Sequence, residues 1–166
     1  MNKSFIIFAL VIVLLIFGLA FVIAGTGPSK ATIEKTIGAK ASFDATLKDL
    51  QDIKYGEKAI VNFPIENNGS KNLEIANIAT SCMCTLAHFE RNGSQEGPAF
   101  GMKGMSSVSD WKGVLKPGEK VEIVAIFDTA YHGPSGVGSQ FRTVSLETND
   151  PDNPYIEFNF TGEVVK

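Results

Sequence analysis

Hydrophobic and polar positions alternate over much of this chain. In KAIVNFPIEN, Ala59, Val61, Phe63 and Ile65 take every second place, and in KVEIVAIFD so do Val121, Ile123, Ala125 and Phe127. Alternate side chains of a strand share one face, so each run predicts a strand with one buried side. Weaker runs of the same kind span Ser42 to Leu47, Leu73 to Ala79, Cys82 to Ala87, Gln140 to Glu147 and Tyr155 to Val164. Turn formers separate them: Asn67-Asn68-Gly69-Ser70, Lys116-Pro117-Gly118-Glu119 and the run from Asn149 to Pro154. About seven short strands without an amphipathic helix predict an all-β chain, an immunoglobulin-like antiparallel β-sandwich over residues 41–166.

Two stretches break this rhythm. Phe5 to Ala24 is an unbroken apolar run without a charge. At about 1.5 Å per residue, a helix of roughly 20 residues crosses the hydrocarbon of a bilayer. The run exceeds the apolar part of a cleavable signal peptide, about 7 to 15 residues, so it predicts a transmembrane signal anchor over 5–24, with Val22-Ile23-Ala24 a poor cleavage site. No cysteine follows the run closely, so no lipid anchor is expected. Residues 1–4 form a cytoplasmic stub and residues 25–40, rich in turn formers, a tether. Lys3 flanks one side of the anchor and Lys30 and Lys35 the other, so charge alone orients it weakly. Short N-termini translocate poorly, which places the domain on the extracytoplasmic side. The second break, His88 to Leu115, reads as one long loop carrying Phe100, Met102, Met105, Val108 and Trp111. A glycine-rich loop, Tyr131 to Gly138, follows the strand ending near Asp128.

Composition narrows the function. Without the anchor the chain is long enough for one domain with its own core and too short for two. The formal net charge is −3 and no basic run occurs, so neither nucleic acid nor anionic lipid headgroups are expected partners. No nucleophile-elbow serine, paired acids or phosphate-cradling loop supports a hydrolase or transferase. Asn68-Gly69-Ser70, Asn92-Gly93-Ser94 and Asn159-Phe160-Thr161 match a glycosylation acceptor pattern, and Asp150 with Asp152 could face calcium, but a turn explains the latter run better.

Several motifs in fixed order resemble a bacterial extracytoplasmic family classed as a domain of unknown function. They are Leu50 to Glu57 (Leu-x-x-Ile-x-Tyr-Gly-Glu), Asn67 with Gly69, Ser81 to Thr85 (Ser-Cys-x-Cys-Thr), Pro117 to Glu119, Asn149 to Pro151 and Gly162 to Val164. The resemblance implies an immunoglobulin-type sandwich related to the major-sperm-protein and Hydin-type domains, outside the cytoplasm. It implies no activity. Met83 stands where the family usually has glycine. The Gly-Met-Lys-Gly-Met and His-Gly-Pro-Ser-Gly-Val-Gly loops resemble a subgroup that often carries histidine at the second methionine position, an exchange natural for a soft-metal ligand.

The chemistry centres on Cys82 and Cys84, the only cysteines. On a regular strand both point one way with α-carbons about 6.6 Å apart, so an internal disulfide requires the strand to buckle. Met83 would then point to the opposite face, into the core. Three explanations fit two cysteines in an oxidising compartment. In the first, thiolates and thioethers hold a soft ion, Cu(I) before zinc, and the loops bring Met102, Met105 and His132 as further ligands. His88 lies about 13 Å beyond Cys84 on a continued strand and joins only if the strand bends. In the second, the pair does thiol redox chemistry with His132 as base, although no cation that would favour a thiolate is visible beside it. In the third, the cysteines are small buried hydrophobes or an isolated disulfide in a module that binds a protein partner. The metal reading is preferred, with a binder or carrier ahead of an enzyme.

Overall fold

A computed structural model describes residues 2–25 and 29–166; Met1 and residues 26–28, part of the predicted tether, lie outside the described residues. Helix α1 (Lys3–Gly25) is uncharged from Ser4 on, and its Lys3–Val22 stretch has a mean hydropathy of 3.3, long and apolar enough to cross a membrane. Among the described residues ten strands follow: β1 (Ala41–Ser42), β2 (Leu47–Lys54), β3 (Lys58–Asn67), β4 (Leu73–Thr80), β5 (Thr85–Arg91), β6 (Ser94–Phe100), β7 (Lys112–Leu115), β8 (Lys120–Asp128), β9 (Gly138–Thr148) and β10 (Tyr155–Val165).

They form an immunoglobulin-like sandwich of two five-stranded sheets, in the orders β1-β3-β8-β5-β6 and β2-β10-β9-β4-β7. The alternation seen in the sequence sets the register. Val61, Phe63 and Ile65 stand opposite Ala125, Ile123 and Val121, so the inward residues of β3 and β8 face each other as partners. All six are buried, and a one-residue slip would expose the whole set. From the other sheet Ile156, Phe158, Phe160 and Val164 complete the core. Phe63 stacks on Phe158 across the two sheets, with centroids 4.8 Å apart. Among the described strands all pairings are antiparallel except β2 on β10, which is parallel, so the second sheet is mixed rather than purely antiparallel.

The strand count exceeds the expected seven for two local reasons. The predicted run Ser42 to Leu47 is not one strand: β1 joins β3 in the first sheet and β2 joins β10 in the second, so the chain changes sheets between them. Phe43 anchors the crossing by packing edge-on to Phe158 at 5.5 Å. The predicted loop from His88 to Leu115 is largely strand. Asn92 and Gly93 have φ of 52° and 74°, the left-handed pair of a two-residue hairpin turn, and β5 returns as β6. Trp111 then folds the remaining segment back, with its ring 5.0 Å from Phe89 and 5.5 Å from Phe100. Gly97 and Gly113 make room for it, since a Cβ at either would stand within 2.8 Å of the indole.

The Asn149 to Pro154 run is a structural latch rather than an ion loop. Asn149 accepts the Glu74 N–H and donates to Asn72 O through its side chain. The buried Asp150 carboxylate accepts from the backbone N–H of Ala41 and Asp152 and from the Asn153 amide, each at 2.9 Å. Burial pushes its pKa up, but these bonds outweigh burial and hold the carboxyl below the usual carboxylate range. The chain before β1 reaches this latch through Thr36, whose N–H donates to Asn149 O, while Ala31 is buried elsewhere with its N–H donating to Ser109 O.

Candidate functional site

The chain leaves β4 at Thr80 and enters β5 at Thr85, passing from one sheet to the other. The four residues between are a turn, so the predicted strand from Cys82 begins only at Thr85. The backbone of this turn is held by local bonds and by the strands beside it. The buried Thr80 hydroxyl lies 2.9 Å from Cys82 O and 3.0 Å from Thr85 O. Ser81 N–H donates to Thr143 O, and Thr143 N–H returns a bond to Ser81 Oγ, both 3.0 Å. Asp128 N–H donates to Cys84 O at 2.9 Å.

Within this frame the Cys82 and Cys84 α-carbons are 5.2 Å apart and a disulfide joins the two side chains. The turn supplies the buckle that a regular strand lacks. Met83 achieves it with negative φ, so no glycine is needed. Its side chain is 46% exposed, a correction to the expectation that it enters the core. The two sulfurs differ: Cys84 is buried in the hydrophobic core at 2% exposure, while Cys82 is only partly covered.

His132 follows β8, just before the short 3-10 turn Gly133–Gly136, and Tyr131 packs edge-on to it at 5.1 Å. Its Nε2 stands 3.3 Å from Cys82 Sγ. Cys82, Cys84 and His132 thus offer three ligand atoms within 4.8 Å of one another, a group able to hold a metal ion once the sulfurs are free. Three of the five predicted ligands therefore meet. The backbone on either side of Met102 is tied to the end of β4, since Thr80 N–H donates to Gly101 O and Lys103 N–H to Thr80 O. Its side chain lines a shallow cleft with Lys30, Asn77 and Phe100. Met105, in the turn that Met102 O closes, is 67% exposed. His88 stays on β5 opposite Val124, outside the cluster.

Arg142 is the residue that sequence reading missed. It sits on β9 with its Nε–H donating to Cys84 Sγ at 3.1 Å. Its other bonds go to Phe141 O and Gln140 Oε1, and its guanidinium carbon lies 5.3 Å over the Phe127 ring. Burial pushes its pKa down, yet a guanidinium stays protonated in proteins. A signal was present in the chain: Arg142 shares the period-two parity of Val144 and Leu146, both fully buried, which turns a cation inward.

Each sulfur also has a hydrogen-bond donor, Arg142 Nε–H for Cys84 and the Cys84 backbone N–H, at 3.2 Å, for Cys82. As a staple the bridge does little. With a sequence separation of 2 it closes a loop so short that the chain-entropy gain is roughly 1.6 kcal/mol, against about 3 for a 15-residue loop.

Residues 41–103 match the model of a family described as "Protein of unknown function (DUF1573)". The matched span contains the Leu50 to Glu57, Asn67 to Gly69 and Ser81 to Thr85 motifs, and the resemblance drawn from them is borne out. No curated protein matches the chain. Among solved structures it is similar to a protein of unknown function from Porphyromonas gingivalis, with 19% identity, a TM-score of 0.58, and coverage of 80% of this chain and 49% of that one. It is also similar to a family 123 glycoside hydrolase from Clostridium perfringens, with 9% identity, a TM-score of 0.52, and coverage of 78% and 27%. A PapD-like domain of human CEP192 aligns with 14% identity, a TM-score of 0.48, and coverage of 85% and 96%. The chain thus spans about half the length of the Porphyromonas gingivalis protein, and the likeness concerns the fold.

Proposed function

We propose that this chain is a membrane-anchored, extracytoplasmic β-sandwich whose reduced cysteine pair holds one soft metal ion, Cu(I), together with His132. The carrying observation is the convergence of Cys82 Sγ, Cys84 Sγ and His132 Nε2 within 4.8 Å. Two ligand atoms each about 2.0–2.3 Å from one ion stand roughly 3.5–4.6 Å apart, so once the S–S bond opens the three atoms need only small movements. Two thiolates on Cu(I) leave one negative charge, and Arg142 beside Cys84 compensates it. The thioether of Met102 or Met105 closes the site from the adjoining turn, which is bonded to Thr80 two residues before Cys82. Helix α1 supplies the anchor, and a disulfide fits an oxidising compartment outside the cytoplasm.

The test is an anaerobic Cu(I) titration of the reduced full-length chain in detergent against a chromophoric chelator, with Zn(II) in parallel. One equivalent of Cu(I) is expected in preference to zinc. Cys82→Ser and His132→Ala should each weaken binding by at least about a hundredfold, since loss of a mere outer-shell partner already costs roughly 10–100-fold. Met102→Leu with Met105→Leu should weaken it less. No stoichiometric binding, or binding that survives both Cys82→Ser and His132→Ala, overturns the assignment.

A further inference from the structure

Arg142 carries a charge that its surroundings do not answer. Its side chain is partly buried between β9 and the Phe127 ring, and none of its described partners is a carboxylate; they are a carbonyl, an amide oxygen and the Cys84 sulfur. A guanidinium taken partly out of water without a counter-ion is costly. A disulfide sulfur is a poor acceptor, whereas a thiolate in the same place would be a full counter-ion at 3.1 Å. The site is therefore built for the anion that appears on Cys84 when the bridge is broken.

We infer that Cys82–Cys84 is the oxidised half of a working dithiol/disulfide couple, exchanging two electrons with a protein dithiol through attack at Cys82. This rests on the same cysteines as the copper reading but does not need a metal. Exposure selects the sulfur attacked, since Cys82 is partly accessible and Cys84 is not. A partner thiolate attacks Cys82 Sγ, the S–S bond breaks, and its electron pair leaves on Cys84 Sγ, where Arg142 Nε–H receives the charge. The partner's second thiolate then attacks its own sulfur in the mixed disulfide. That releases Cys82, and the partner leaves as a disulfide. Two electrons have entered this chain; of the two protons given up by the partner's thiols, one is taken up by Cys82 and the other passes to solvent while Cys84 stays a thiolate beside Arg142. The partner is a protein because the approach is apolar: Met83 and Tyr131, flanking the sulfurs and His132, are 46% and 48% exposed.

The experiment uses the full-length chain in detergent with chelator present and no metal, equilibrated with dithiothreitol and, separately, with reduced thioredoxin as a protein dithiol. Thiols are counted by alkylation and mass. Reversible two-electron reduction is expected, faster with thioredoxin at equal thiol concentration. Arg142→Gln should lower the exchange equilibrium constant about 10–100-fold, the worth of a hydrogen bond to a charged group, and Arg142→Lys should restore part of it. Cys84→Ser should leave Cys82 reactive with Ellman's reagent, while Cys82→Ser should leave Cys84 at least about tenfold slower, as burial restricts access to a thiol. A bridge inert to both reductants in the folded chain overturns the inference, as does exchange unchanged by Arg142→Gln or reactivity greatest at Cys84. Cu(I) binding by chemically reduced protein with an inert bridge would remove this inference alone. Exchange without Cu(I) binding would remove the copper reading alone.

Discussion

Replacing Asp150 with asparagine tests the latch that joins the end of β9 to the start of β1. The carboxylate is 1% exposed; one oxygen accepts from Ala41 N–H and Asn153 Nδ2 and the other from Asp152 N–H. Asparagine keeps one oxygen. Placed to retain two bonds, it turns its NH2 towards the Asp152 N–H, so one charge-assisted bond is lost and a donor faces a donor. A hydrogen bond to a charged group is worth about 1.5–3 kcal/mol, and the unsatisfied donor costs about 1 more, for an expected loss of about 2.5–4 kcal/mol. With a urea slope of about 2 kcal/mol per molar, the midpoint at pH 7 should fall by about 1–2 M. The sign with pH follows from the direction of the shift. The folded carboxyl lies below its unfolded value of about 3.9, so its contribution is complete above about pH 5 and is lost as pH falls through the folded pKa. The substituted amide does not titrate, so the gap between wild type and Asp150→Asn should narrow from about pH 5 downward. Urea melts followed by Trp111 fluorescence at pH 7 and at about pH 3 read both quantities. Coincident midpoints at pH 7, or an equal gap at both pH values, would refute the reasoning.

Two further outcomes bear on the fold around the site. Trp111→Ala removes the ring that packs on Phe89 and Phe100 over Gly97 and Gly113, and should cost about 2–4 kcal/mol by circular dichroism melts; an unchanged melt would mean that the segment before β7 holds without it. Reduction of the disulfide should leave the domain folded, lowering stability by roughly 1.6 kcal/mol, because the loop it closes is so short. Loss of the near-ultraviolet spectrum on reduction would make the bridge structural and remove the basis of both thiol readings.

Much of the architecture is a local matter and was legible in the chain. The strands that became β3, β8 and β10 announce themselves because a half-buried strand must alternate, and their register follows from matching the two buried faces. The Asn92-Gly93 hairpin was equally local, but an expected long loop hid it, and a turn of that composition between two modest strands is the corrective signal. The apolar run that became α1 is a matter of length and hydropathy alone. The cysteine pair and His132 were also readable, as residue types rare enough to ask for an explanation.

Where those side chains meet was decided only by the tertiary structure. The sheet-to-sheet crossing between β4 and β5 bends Cys82 and Cys84 into bridging distance, whereas strand geometry alone held them apart. The end of β8 brings His132 to the sulfurs across 50 positions of sequence, and β9 brings Arg142 across 58. Periodicity says which face a residue occupies but not which strands become neighbours. Pairing order is settled by the global packing of two sheets, and the guanidinium beside Cys84 arrives through that order.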